Sequence, residues 1–215
     1  MKLKDRTSLV IAGAWNIAIL NPRWFLTEIF AQNNPNDKIQ VQFGFGNNEQ
    51  NSIKFTIDEI TITVTPSRLM FSPNSIDCEN NSKYEQIEKA ACEIIKKLPF
   101  TPITAIGYNI SYDLENDSFE FIEENQFERC QEFYRNKIKS DVISQEIKHT
   151  LVFDEHLLNL SYNIDNINKS FNYHYQINDT NKKFEHISQL ASKYIENIDN
   201  AKKLFINIIR KNNVG

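Results

Sequence analysis

The chain has 215 residues, 40% of them hydrophobic, and a net charge of −4. This composition argues against a disordered chain and allows one large domain or two small halves. The acidic balance disfavours nucleic acid as a general partner, because surfaces that bind nucleic acids are usually basic. Cys78, Cys92 and Cys130 are an odd number without metal-ligand spacing, which argues against a disulfide framework and favours a reducing compartment.

Residues 8–25, SLVIAGAWNIAILNPRWF, raise the question of a secretion signal, a membrane anchor or an element of a soluble fold. An asparagine interrupts the apolar run, and the run is shorter than the roughly 20 residues of a membrane span. We therefore predict a buried strand over 8–20 and a helix over 22–31, with Asn21 as N-cap and Pro22 as the first helical residue. This interpretation predicts a cytoplasmic protein without a membrane segment.

Alternation of apolar and polar residues predicts strands along most of the chain, at 38–46, 52–57, 59–65, 67–73, 103–114, 144–153, 157–164 and 170–177. Apolar residues at helical spacing predict amphipathic helices at 83–98 and 127–138.

The last segment, 183–211, is predicted to be one long helix. Its apolar residues are three and four apart and form a stripe: Phe184, Ile187, Ala191, Tyr194, Ile198, Ala201, Phe205 and Ile208. The stripe could pack on a sheet of its own chain or form the seam of a homodimer. Alanine and tyrosine are poor residues for a strict zipper, so the pattern favours the first alternative.

The predicted elements follow the order β-α-β-β-β-α twice, over residues 1–99 and 100–215. The expected fold class is α+β, with two pseudo-repeated halves in one compact unit. Each half is expected to form an antiparallel sheet covered by a long amphipathic helix, because such a meander buries one face of its sheet.

Three stretches resemble a family of sporadically distributed, uncharacterised bacterial proteins. They are ITVTPSRLMFSP (62–73), FTPITAIGYNISY (100–112), and FNYHYQIND (171–179) followed by a helix ending in LFINII (204–209). The resemblance covers most of the chain and implies the duplicated α+β architecture. It implies no catalytic residue, since the family has no established activity.

An acidic segment at 113–124 has carboxylates at the ligand spacing of a calcium-binding loop: Asp113, Glu115, Asp117 and Glu124. Three features disfavour a calcium site. Ser118 occupies the position that normally requires glycine, the third ligand is glutamate, and a strand precedes the segment. We interpret it as an acidic turn.

A second cluster, Asp154, Glu155 and His156, has groups that could bind a metal or transfer protons. Its position between two predicted strands favours a polar turn, which explains these residues without a function. The four histidines show no zinc-binding spacing, and the chain has no phosphate-binding glycine motif. We therefore predict no metal and no cofactor.

The segment SFNYHYQI (170–177) alternates aromatic and polar residues. One face has Phe171, Tyr173 and Tyr175, and the other has Asn172, His174 and Gln176. The aromatic side chains could be core residues, or they could form an exposed recognition platform with polar contacts on the opposite face. The candidate binding residues are Tyr173, His174 and Tyr175.

These observations favour a non-enzymatic binding protein whose partner is another protein, in a bacterial defence, toxin–antidote or other accessory system. The alternative is a metal-assisted hydrolase or nuclease that uses the acidic residues at 113–124 or 154–156. The sequence leaves the choice between the two open, with the binding function favoured.

Overall fold

The computed structural model describes residues 2–3, 7–31, 39–44, 51–74, 82–113, 124–139, 146–153, 156–163, 168–177 and 184–210. The strands are β1 (Lys2–Leu3), β2 (Ser8–Gly13), β3 (Val41–Gly44), β4 (Ser52–Ile57), β5 (Ile60–Val64), β6 (Arg68–Pro73), β7 (Ile103–Asp113), β8 (Glu146–Val152), β9 (Leu157–Asn163) and β10 (Asn168–Gln176). The helices are α1 (Pro22–Trp24), which continues as a π-helical turn over Phe25–Ile29, α2 (Ser82–Lys97), α3 (Glu124–Lys137), α4 (Phe184–Ala191) and α5 (Tyr194–Arg210).

The strands form one antiparallel sheet in the order β3-β4-β5-β6-β2-β7-β10-β9-β8, and β1 also pairs with β7. The α+β class is confirmed. The expectation of a separate sheet in each half is wrong, because β2 and β7 pair at the centre of the sheet. Leu9 lies opposite Tyr108 and Ile11 opposite Ile106, all four fully buried, so apolar burial favours this joint.

The predicted strand at 8–20 is correct only in its first part, because β2 ends at Gly13. A Cβ atom at this position would lie 2.6 Å from the carbonyl oxygen of Pro102, so the two backbones approach more closely than any side chain allows. The register of β2 with β7 shifts at the same point. Beyond it, the Trp15 indole donates a hydrogen bond to the Ile11 carbonyl at 3.0 Å.

The predicted start of the first helix is confirmed. The Asn21 side chain accepts a hydrogen bond from the Trp24 amide at 3.0 Å, and Pro22 is the first helical residue. The following turn carries the fully buried Phe25, whose ring centroid lies 5.2 Å from that of Phe55 and 6.3 Å from that of Phe71. This short helical segment therefore covers the sheet at β4 and β6.

Helix α2 matches its prediction closely and lies on the same face of the sheet. Its buried residues are Tyr84, Ile87, Ala90, Ala91, Ile94 and Ile95. The Cys92 thiol on this helix is half-buried and lies 3.5 Å from the Ser188 carbonyl oxygen. Burial raises the pKa of this thiol, as expected for a cysteine that serves as a small packing residue between helices.

The predicted long helix is two helices, with a break at Ser192 and Lys193. The Tyr108 hydroxyl donates to the Leu190 carbonyl and accepts a hydrogen bond from the Lys193 amide at 3.3 Å. The Glu88 carboxylate of α2 accepts a hydrogen bond from the Ile195 amide at 3.0 Å. Side chains from β7 and α2 thus satisfy backbone groups that a continuous helix would pair internally.

The apolar stripe runs across this break and faces the protein's own sheet. Ala191, Tyr194 and Ala201 are buried, and the Tyr194 ring centroid lies 5.4 Å from that of Tyr108 and 5.3 Å from that of Tyr84. These contacts support intramolecular packing over a dimer seam. The side chains of Phe184, Phe205 and Ile208 lie outside the described part of the structure.

The Glu88 cap predicts a specific pH dependence. Burial, opposed by the hydrogen bond from Ile195, raises the pKa of the Glu88 carboxyl above its ordinary value. The folded state therefore binds the proton more tightly than the unfolded state. The contribution of Glu88 to stability falls as pH rises from the ordinary pKa of a glutamate to the raised pKa of Glu88 in the folded protein. In Glu88→Gln the amide oxygen still accepts the Ile195 N–H but does not titrate.

We expect the free energy of unfolding of the wild type, minus that of Glu88→Gln, to decrease as pH rises from about 4 to about 7. Urea unfolding of both proteins measures this difference, in which other titrating groups cancel. Glu88→Ala should cost about 1 kcal/mol through loss of the cap. A wild-type advantage that grows with pH would contradict the assignment.

Candidate functional site

The sheet has two unlike faces. The side chains of Phe25, Ile87 and Tyr194 belong to one buried cluster with the inward residues of the strands, so the helices that bear them cover a single face. The opposite face, here called the open face, contains the alternate residues of the same strands. Described side chains at its edges, such as Lys54 and Thr150, are exposed, whereas Ser8 and Ala105 near its centre are buried.

Strand register places a continuous band of uncharged polar residues across the open face. We call this band the polar row: Thr56, Thr61, Ser72, Ser8, Asn109, Asn172, Asn159 and Thr150. Each residue lies beside the next on a neighbouring strand. Seven steps of about 4.8 Å give the polar row a length of about 34 Å.

Five side chains of the polar row form an unbroken chain of hydrogen bonds. The Thr150 hydroxyl donates to Asn159 Oδ1 at 2.8 Å, and Asn159 Nδ2 donates to Asn172 Oδ1 at 3.1 Å. Asn172 Nδ2 then donates to Asn109 Oδ1 at 2.7 Å, and Asn109 Nδ2 donates to Ser8 Oγ at 3.0 Å. All four bonds run in one direction, an arrangement in which each bond polarises the next.

The hydrogen-bonded amides of the polar row retain donors and acceptors for a partner. An amide has two N–H donors and an oxygen that can accept two bonds. Asn109, Asn159 and Asn172 each use one donor and one acceptor within the chain, so each retains one of both. The three amides therefore form a fixed row of paired donors and acceptors, repeated about every 4.8 Å.

Charge on the open face is local. Among the side chains that the structure describes, those with a formal charge at open-face positions are Lys54, Arg68 and Lys148, all of them basic. The polar row itself is uncharged. The net charge of the whole chain is −4, so these three described side chains contrast in sign with the protein as a whole.

The three predicted binding residues lie on different faces. Tyr173 and Tyr175 are 3% and 2% exposed beneath the helices, and the Tyr175 hydroxyl donates to Asn197 Oδ1 at 3.0 Å. Neither ring can therefore act as a platform for a partner in this fold. His174 is half-buried on the open face, one row from the polar row.

The buried tyrosines are protonated at ordinary pH. Burial raises the pKa of Tyr108, Tyr173 and Tyr194 well above the ordinary value of a phenol, so all three stay protonated. The Tyr108 hydroxyl forms a hydrogen bond with the Leu190 carbonyl, and the Tyr173 and Tyr194 rings pack in the core.

The acidic candidates are only partly described. Asp113 ends β7, which confirms a strand before the acidic segment, while Glu115 and Asp117 lie outside the described residues. Asp154 and Glu155 also lie outside them. His156 is half-buried, with its ring centroid 4.8 Å from those of both Phe153 and Tyr175. Within the described part of the chain, no cluster of three histidine, cysteine or acidic residues could hold a metal ion.

The polar row contains residues that the sequence alone did not single out. Asn109 and Asn159 each lie in a predicted strand, and only strand order brings them beside Asn172. The sequence feature that indicates them is the set of polar residues in each alternating strand pattern. This set contains asparagine or a hydroxyl residue at the positions that the strand register aligns.

Comparison with known proteins gives this site no precedent. No protein-family model matches the chain, and no curated protein matches it. No helix among the described residues is long and apolar enough to cross a membrane. The inference of function therefore starts from the geometry of the open face.

Proposed function

We propose that this protein is a non-enzymatic cytoplasmic binding protein that holds a partner protein on the open face of its sheet. The observation that supports this proposal is the polar row. Its amides are fixed by hydrogen bonds at 2.7–3.1 Å and retain donors and acceptors for a second molecule. Fixing these side chains in advance lowers the entropy lost on binding.

The chemistry of the open face suits a protein partner. Charged residues are depleted at the centre of protein interfaces, and the polar row is uncharged. Val10 and Met70 lie on the open face beside the polar row and provide apolar contact area. Nucleic acid binding would instead draw on many contacts between basic residues and phosphates.

The proposal includes a duplicated architecture. β2 pairs with β6, the last strand of the meander that follows it, and β7 pairs with β10 in the same way. The two first strands then meet in an antiparallel pair. This order supports the predicted repeat of residues 1–99 and 100–215. The family resemblance and a bacterial accessory role remain part of the proposal.

The test is a double substitution in the polar row, Asn159→Ala with Asn172→Ala. We expect it to weaken partner binding at least tenfold, because several hydrogen bonds contribute roughly 0.5–1.5 kcal/mol each. The partner is first captured from the native host with the wild type and purified. Calorimetry then gives its affinity for each variant.

Gln86→Ala is the matched control, since it removes an exposed amide from α2, on the helix-covered side. It should bind like the wild type. Circular dichroism must show that the double variant is folded. Equal affinity of a folded double variant and the wild type would refute the proposed function.

A further inference from the structure

We infer that the partner presents an acidic polypeptide segment to the open face, with carboxylates that pair with Arg68 and Lys54 beside the polar row. This inference rests on the proposed function and specifies its partner.

Arg68 and Lys54 lie on the same flank of the polar row. Lys54 precedes Thr56 by two residues on β4, and Arg68 precedes Ser72 by four on β6. Only β5 separates the two strands. Two strand spacings of about 4.8 Å therefore place β4 and β6 about 10 Å apart across the sheet.

Both side chains are available to a partner. Arg68 and Lys54 are exposed, and neither forms an ion pair within the described part of the chain. By contrast, the lysines of α2 that form ion pairs do so with Glu59, Glu93 and Glu28. Within the described part of the chain, Arg68 and Lys54 therefore lack the neighbouring carboxylates that compensate the lysines of α2.

The neighbours of the two cations do not compensate them either. The open-face residues between them on β5 and β6 are Thr63 and Met70, neither of which bears charge. A partner with carboxylates at this flank would form complementary charge pairs while its remaining polar groups contact the amides of the polar row. Such complementarity selects the partner and accelerates its association.

Two features favour a polypeptide over a nucleic acid as the acidic partner. The flank contains two cations, whereas nucleic acid binding commonly uses six to ten phosphate contacts. In addition, the net charge of −4 would repel a long polyanion. A short acidic segment can approach this flank without crossing the rest of the surface.

The probe is a fluorescein-labelled peptide of 14 residues in which glutamate and asparagine alternate. Matched peptides replace every glutamate with glutamine or with lysine. Fluorescence anisotropy measures their binding to the wild type and to Arg68→Gln with Lys54→Gln. The control is Lys202→Gln with Lys203→Gln, which removes the same charge from exposed positions of α5.

We expect the glutamate peptide to bind the wild type at least tenfold more tightly than the glutamine peptide does, and the lysine peptide to bind most weakly. The Arg68→Gln, Lys54→Gln variant should lose this preference and most of the salt dependence of binding. The lysine control should keep both.

The outcomes separate the inference from the proposed function. Suppose that the glutamate and glutamine peptides bind equally, and that Asn159→Ala with Asn172→Ala weakens the binding of both. This result would overturn the inference of an acidic partner and support the open face as the binding surface. Failure of every peptide to bind below 1 mM would overturn the inference. So would a 20-base-pair DNA duplex that binds more tightly than the glutamate peptide.

Discussion

Phe25→Ala should lower the free energy of unfolding by about 3–5 kcal/mol, the range observed for aromatic residues truncated in a protein core. Phe25 is fully buried, and its ring makes edge contacts with Phe55 and Phe71 at centroid distances of 5.2 Å and 6.3 Å. It also anchors the first helical segment to the sheet. The substitution therefore leaves a cavity and loosens that attachment. Chemical denaturation followed by fluorescence or circular dichroism measures the effect.

Phe100→Ala removes the same side chain from a position that is 95% exposed, and it should change stability by less than about 0.5 kcal/mol. The pair distinguishes a core contact from a general effect of losing an aromatic ring. A loss below about 1 kcal/mol for Phe25→Ala would mean that the helical segment does not seal the core at β4 and β6.

Gly13→Ala should cost about 2–3 kcal/mol, toward the upper end for an overpacked site. The added Cβ would meet the Pro102 carbonyl oxygen at 2.6 Å and the Ile103 Cα at 3.3 Å. Both are backbone atoms, so no side-chain rotation relieves the contact. The sheet would have to widen where the register of β2 and β7 shifts. Thermal and urea unfolding provide the measurement.

Gly107→Ala is the matched control on the neighbouring strand. A Cβ at this position would lie 3.6 Å from the Tyr173 carbonyl oxygen, an ordinary contact distance. We expect its stability to be unchanged or raised by up to about 1 kcal/mol, because alanine restricts the unfolded chain. If both glycine variants were equally stable, the close approach at Gly13 would be contradicted.

Local pattern predicted the elements well. The alternation in residues 52–57 and 59–65 matches β4 and β5, and the stripe of 83–98 matches α2, because burial of one face determines those periodicities. Asn21 and Pro22 identified the first helix start for the same local reason. These features depend on neighbours within a few residues.

The remaining features depend on contacts between distant parts of the chain. No periodicity indicates that β2 pairs with β7, which joins the halves into one sheet. The break between α4 and α5 is stabilised by Tyr108 and Glu88, each more than 80 residues away from its backbone partner. The polar row likewise requires strand order, and the burial of Tyr173 and Tyr175 depends on which face the helices cover.

The central pairing of β2 with β7 also has a consequence for how the chain folds during synthesis. Strands β2 to β6 can assemble once residue 73 has left the ribosome, yet one edge of β2 stays unpaired until residues 103–113 follow. Leu9 and Ile11 lie on that edge. An apolar strand edge is a template for another chain, so a stalled ribosome would leave a nascent chain competent to exchange strands with its neighbour. We therefore expect misfolding of this topology to proceed by domain swapping through β2.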